Sequence, residues 1–130
     1  MNILILGGNR YFGKSILKIL SKKKNKIFLV NRGFKPNFRN KNIKFIKIDR
    51  RKIKKNSKYF NNIYFHKIFD NNAYHVSDVK NLLKNIKNNF KHYIITSSSI
   101  TYLNSHLKKK ITENEWHKGK YSLNFKRKFK

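Results

Sequence analysis

The chain has 130 residues, enough for one modest domain and too few for a cofactor domain joined to a full substrate domain. It lacks cysteine, which excludes disulfides and thiolate chemistry. Its formal charge is +28, with 33 basic residues against five acidic ones, an extreme balance.

Two sources account for the charge: a polyanion partner such as RNA or DNA, and compositional bias. The sequence holds 27 Lys, 19 Asn and 16 Ile, residues that A/T-rich codons favour, and only six Arg, whose planar fork is the usual phosphate reader. Bias is therefore the main source. Either way, the surface attracts polyanions non-specifically at low salt. There is no apolar run long enough to cross a bilayer, and glycine interrupts the apolar opening after six residues, unlike a secretory leader. No membrane partner is expected; the cytoplasm or an organelle stroma fits.

Residues 2–6 are uniformly apolar, as in a central parallel strand buried on both faces. Gly7-Gly8-Asn9-Arg10-Tyr11-Phe12-Gly13 follows as a glycine-rich turn into a helix. Over residues 12–22, Phe12, Ile16, Ile19 and Leu20 recur at helical spacing, and Lys22-Lys23-Lys24 is a solvated helix end. Ile27 to Val30 reads as a second strand closed by Asn31-Arg32-Gly33, and Ile43 to Ile48 as a third. A short helix is expected within the basic stretch 50–62. Ile68-Phe69-Asp70 ends a fourth strand, and 71–75 form a loop. Residues 77–89 form an amphipathic helix through Val79, Leu82, Leu83 and Ile86, with Ser77 as its N-cap and Asp78 in its first turn. Tyr93-Ile94-Ile95 is a fifth strand ending in Thr96-Ser97-Ser98-Ser99. Residues 103–119 read as loop, and a last helix opens near Tyr121. This alternation specifies an α/β domain, a doubly wound parallel sheet of about five strands of the Rossmann type.

The chemistry lies at the strand ends. A glycine turn between a strand and a helix admits a pyrophosphate to the helix N-terminus: Gly7 for the tight turn, Gly8 for close approach and Gly13 for packing of helix on strand. Asn31-Arg32 ends the second strand, where the adenosine ribose is read. A carboxylate is usual there for NAD, so Arg32 favours the 2′-phosphate of NADP. Asp49 ends the third strand and suits the adenine edge. Ser97-Ser98-Ser99 ends the fifth, in the crevice where ligands bind. The five histidines show no metal-ligand spacing, and no metal is expected.

These residues resemble the NAD(P)-dependent epimerase/dehydratase family, the extended short-chain dehydrogenase/reductases. More narrowly, they resemble the divergent branch whose first turn reads Gly-Gly-x-Arg-Phe-x-Gly, which includes bacterial epimerase-like reductases and chloroplast stem-loop RNA-binding proteins. The similarity runs in order through Ile5–Gly13, Val30–Gly33, Ile48–Arg51, Phe69–Tyr74, His92–Tyr102, Ile111–Trp116 and Tyr121-Ser122. It implies that Gly7, Gly8 and Gly13, with Arg10, Tyr11 and Phe12 between them, line the pyrophosphate. It places Asn31, Arg32, Asp49 and Arg50 at the adenosine, Ala73 and Tyr74 near the nicotinamide ribose, and Ser97 beside the catalytic strand end. Ser98 and Tyr121 align with the family's catalytic Ser/Thr and tyrosine.

Two departures stand out. The family's lysine, four residues after the tyrosine, is replaced by Phe125; the nearest candidate, Lys126, lies at i+5, about 140° round a helix rather than about 40°. The family also continues well beyond the length of this chain, so the substrate lobe is expected to be missing and the fifth strand left with an exposed apolar patch. The resemblance implies a truncated NADP- or NAD-binding oxidoreductase or isomerase relic, with a nucleotide sugar as the default substrate and turnover in doubt. The alternatives are an RNA binder that uses its basic surface and its many Tyr and Phe rings, and a decayed fragment.

Overall fold

A computed structural model describes residues 1–33, 40–53, 58–60, 62–87 and 89–97. Along the chain these form β1 (Asn2–Leu6), α1 (Tyr11–Ser21), β2 (Lys26–Asn31), β3 (Ile43–Lys47), a 3-10 turn (Arg50–Lys52), β4 (Phe65–Asp70), α2 (Val76–Asn85) and β5 (Phe90–Ile95). The strands make one sheet in the order β3-β2-β1-β4-β5, with every neighbouring pair parallel. The chain winds outward from β1 through β2 to β3, then returns to the other side of β1 as β4. Strand order therefore reverses between β1 and β4, and the carboxyl ends of those two strands open a crevice.

The apolar run of β1 explains its central place. Ile3 and Ile5 join Leu17 of α1 with Ile27 and Leu29 on one face of the sheet. Leu4 and Leu6 join Phe28, Val30, Phe65 and Ile68 with Leu82 of α2 on the other. A strand alternates its side chains between faces, so α1 and α2 cover opposite sides, and the sheet is doubly wound as expected. Phe28 and Phe65 meet edge to face at 5.4 Å in the second cluster.

The structure also differs locally from the sequence-based expectations. The buried side of α1 is Gly13 and Leu17 flanked by half-buried Ile16 and Leu20, whereas Phe12 and Ile19 are each 60% exposed. The helix is rotated because Gly13 must seat against the β1 turn, a constraint that apolar spacing does not register. The N-cap of α2 is His75 rather than Ser77, which lies inside the first turn; the Asp78 carboxylate takes the free N–H groups there. In the stretch 50–62, where a short helix is expected, the described residues include the short 3-10 helix Arg50–Lys52, with Asp49 accepting from the Arg51 N–H at 2.9 Å. The fifth strand begins earlier than expected, at Phe90, and Ile94 and Ile95 on it are exposed. The loop expected over 103–119 and the helix expected from Tyr121 lie outside the described residues.

Candidate functional site

The site grows from the end of β1. Gly7 takes φ +80°, a left-handed conformation that a side chain disfavours, and its N–H donates to Val30 O at 3.2 Å as it turns the chain. The turn brings α1 back so closely that a Cβ on Gly13 would stand 2.0 Å from Gly7 O. Gly8 is buried: its Cβ would meet Leu29 Cδ1 at 2.5 Å, and its N–H donates to Asn31 Oδ1 at 3.1 Å. Asn31 Nδ2 in turn donates to Asn9 Oδ1 at 2.8 Å. Gly8 and Asn31 thus tie the turn to the end of β2. The Gly8 N–H is therefore already used.

Helix α1 starts at Tyr11 with no side chain capping it and no acidic residue in its first turn. Its first N–H groups and positive dipole end face outward beside Arg10, an arrangement that attracts anions. Tyr11 holds φ 44°, and its ring is 89% exposed.

In front of this helix end lies an open cleft of about 540 Å³, within the range of small-molecule sites. One wall is the stretch Gly7 to Gly13 without Gly8; Asn31 and Arg32 form a second, and Asn71, Asn72, Tyr74 and Thr96 a third. Beyond Asn31 and Arg32 the cleft borders a smaller hollow of about 40 Å³, lined among others by Ile48, Asp49, Arg50, Arg51 and Asp78. Tyr74, which is 77% exposed, lines both. The structure therefore sets Tyr74 against the ends of β2 and β3 as well as the glycine turn, while Ala73 is half-buried beside it. Arg32 is largely exposed, with Nη1 4.0 Å from Asp49 Oδ2, a loose pair that leaves the guanidinium free to move.

Arg50, expected at the adenosine, borders the smaller hollow and is largely buried, with its guanidinium turned onto Asp70 at the end of β4. Nη2 donates to Asp70 Oδ2 at 2.8 Å and to Asp78 O at 3.0 Å; Nη1 donates to Asp70 Oδ1 at 2.5 Å and to Asn72 Oδ1 at 3.0 Å. The Tyr93 hydroxyl also donates to Asp70, and the Asn72 N–H reaches its Oδ1 at 3.3 Å. Burial opposes the charge on Arg50, but its bonds to Asp70 and Tyr93 outweigh that and hold its pKa above the ordinary value. Burial and the bond to Asp70 push the Tyr93 phenol well up, so it stays a donor at any physiological pH. For Asp78, burial is outweighed by the N–H groups of Tyr74 and His75 and by Arg50 and Arg51, and its pKa lies below the usual carboxylate value.

Asn71 Oδ1 accepts from Thr96 Oγ1 at 2.7 Å, while Asn71 Nδ2 is buried with no hydrogen-bond partner, at the cleft wall nearest Gly13. Such a donor is the kind of group a bound phosphate oxygen satisfies. Sequence reasoning missed Asn9, Asn71, Asn72 and Thr96, because asparagine is so common in this chain that no single one stands out. Ser97 is exposed just past β5; Ser98, Tyr121 and Lys126 lie outside the described residues. Among the described residues, no three His, Asp or Glu side chains gather to hold a metal, and no helix is long and apolar enough to cross a membrane.

No family model and no curated protein sequence matches the chain. Solved structures do share its fold. A short chain dehydrogenase family protein from Francisella tularensis subsp. tularensis SCHU S4 superposes with TM-score 0.64 at 20% identity, over 78% of this chain and 52% of its own. The oxidoreductase ylbE from Lactococcus lactis gives 0.57 at 19% identity, over 82% of this chain and 52% of its own. A UDP-galactose 4-epimerase gives 0.58 at 16% identity, over 78% of this chain and 40% of its own. The chain spans about half the length of the first two and less of the third. At these identities the likeness shows the fold: a Rossmann-type parallel sheet as in short-chain dehydrogenases.

Proposed function

We propose that the chain is a dinucleotide-binding module of the epimerase/dehydratase type, taking NADP or NAD across the carboxyl ends of β1 and β4. One observation carries this reading: Gly7 and Gly13 meet so closely that any side chain at 13 would fill the space, and the uncapped end of α1 opens beside them. The cradle fits a pyrophosphate held by the first N–H groups of α1, with the orphaned Asn71 amide and the Arg10 side chain as further donors. Tyr11 and Phe12 border the same opening, where flat apolar rings shield a phosphate from water.

The adenosine half would then lie toward Arg32, Asp49 and Tyr74. Arg32 is loosely paired, and β2 ends without a carboxylate, so a 2′-phosphate is better accommodated than a bare ribose. NADP is therefore the preferred cofactor. When bound, the nicotinamide supplies hydride exchange. The chain's own part is to bind and orient the dinucleotide.

Catalysis is a separate matter. By resemblance, Ser98 and Tyr121 would handle a substrate proton, with a nucleotide sugar as the substrate class, but Phe125 stands in place of the lysine that would support Tyr121, and Lys126, at i+5, would be out of phase with it on a helix. We infer a binding module with little or no turnover of its own.

The test is a titration of the purified chain with NADPH, NADH and inorganic polyphosphate at about 0.2 M salt, which screens the basic surface. Saturable NADPH binding, tighter than NADH and not displaced by polyphosphate, supports the reading. An equal response to polyphosphate, or none to any of the three, overturns it and returns the RNA-binding alternative to the front.

A further inference from the structure

The buried pair Arg50–Asp70 is placed where burial is costly. Removing both charges from water costs several kcal/mol per ion, and an apolar pair of similar volume commonly serves stability as well or better. Stability alone therefore does not explain it. What the pair does that an apolar pair cannot is connect. Asp70 gathers both terminal nitrogens of Arg50, the Tyr93 hydroxyl of β5 and the Asn72 N–H. Arg50 passes the link on, donating to Asn72 Oδ1 and to the Asp78 carbonyl in the first turn of α2. Asn72 stands against the glycine turn: its Cβ and Cγ would each lie 3.3 Å from a Cβ on Gly7.

We propose that Arg50 is a positioning residue for the cleft, acting through Asn72 to set the wall that faces Gly7, and that the ion pair is kept for this purpose. The proposal rests on the dinucleotide reading only for what the cleft holds. The planar fork is essential, because one guanidinium must satisfy Asp70, Asn72 and the Asp78 carbonyl at once; a lysine ammonium at the same place has no such geometry.

The test compares the wild-type chain with Arg50→Lys and with the triple variant Arg50→Met/Asp70→Leu/Tyr93→Phe, in which the polar network becomes apolar. Three quantities are read: melting temperature, NADPH affinity at about 0.2 M salt, and amide exchange at Gly7, Gly8 and Asn71 in the ligand-free protein. The expected result for the triple variant is an unchanged or higher melting temperature, NADPH affinity lower by about tenfold or more, and faster exchange at those three amides than in β1 and β2. Arg50→Lys is expected to lose affinity and protection at the same amides, and it keeps the test alive if the triple variant does not fold. A folded variant of either kind with wild-type affinity and wild-type exchange at the turn overturns the proposal. If the wild-type chain itself binds no dinucleotide, the functional reading fails while the exchange contrast still decides the role of Arg50.

Discussion

Gly13 and Gly7 are in contact through a backbone oxygen: a Cβ added at residue 13 would lie 2.0 Å from Gly7 O. Backbone cannot step aside as a side chain can. Gly13→Ala is therefore expected to cost at least about 3 kcal/mol, at the top of the usual overpacking range. Gly8→Ala meets the flexible end of Leu29 instead and should cost about 1–3 kcal/mol. Gly33→Ala meets nothing within 4 Å and should be near neutral. Thermal or urea unfolding of the three variants gives the ranking; Gly33 as the most sensitive position would contradict it.

Asn31 is expected to matter as a hydrogen-bond hub more than as a ligand contact. Its Oδ1 takes the buried Gly8 N–H and its Nδ2 reaches Asn9. Asn31→Leu leaves the Gly8 donor unpaired and should cost about 1–3 kcal/mol. Asn31→Asp keeps the acceptor and should cost less. Equal losses in chemical denaturation would mean that the Gly8 bond is not what the residue supplies.

Asp78 links the stability of α2 to pH. Its pKa in the folded chain lies below the ordinary 3.8. Its contribution is therefore full above that value and is lost as the pH falls through the folded one. Asp78→Asn should cost about 0.5–2 kcal/mol near pH 7, as loss of a cap does, and the gap between variant and wild type should narrow below about pH 4. Unfolding curves at several pH values would show it; a gap that widens in acid has the wrong sign for this account.

Arg32 is 72% exposed and only loosely paired, so Arg32→Ala should leave stability within about 0.5 kcal/mol of wild type. If it reads the 2′-phosphate, the variant loses NADPH affinity and keeps NADH affinity. Competition binding of the two cofactors separates that outcome from a uniform weakening, which would assign Arg32 to general charge.

The strands were legible because apolar runs in parallel sheets are nearly continuous: Ile3–Leu6, Ile27–Val30 and Ile68-Phe69 mark their places without structural help. The glycine turn was legible for the same reason, since it joined two recognisable elements. What the sequence hid was pairwise. Arg50 reads as one basic residue among 33, and nothing local says that it turns inward to Asp70, 20 residues away. Apolar spacing points to the wrong face of α1 because Phe12 and Ile19 outweigh a glycine on any apolar scale, although Gly13 makes the closer contact. Ser77 looked like the cap of α2, but the cap position is set by where the chain leaves β4, and Asp78 then captures the free N–H groups of Tyr74 and His75.

The most direct measurement of the central claim is an amide chemical-shift map of the isotope-labelled chain on addition of NADPH at about 0.2 M salt. Saturable shifts are expected, concentrated in residues 7–13, 31–32, 49–51 and 71–74, around the crevice between β1 and β4. Shifts spread over the lysine-rich surface without saturation, or saturable shifts that leave the Gly7–Gly13 turn untouched, would contradict it.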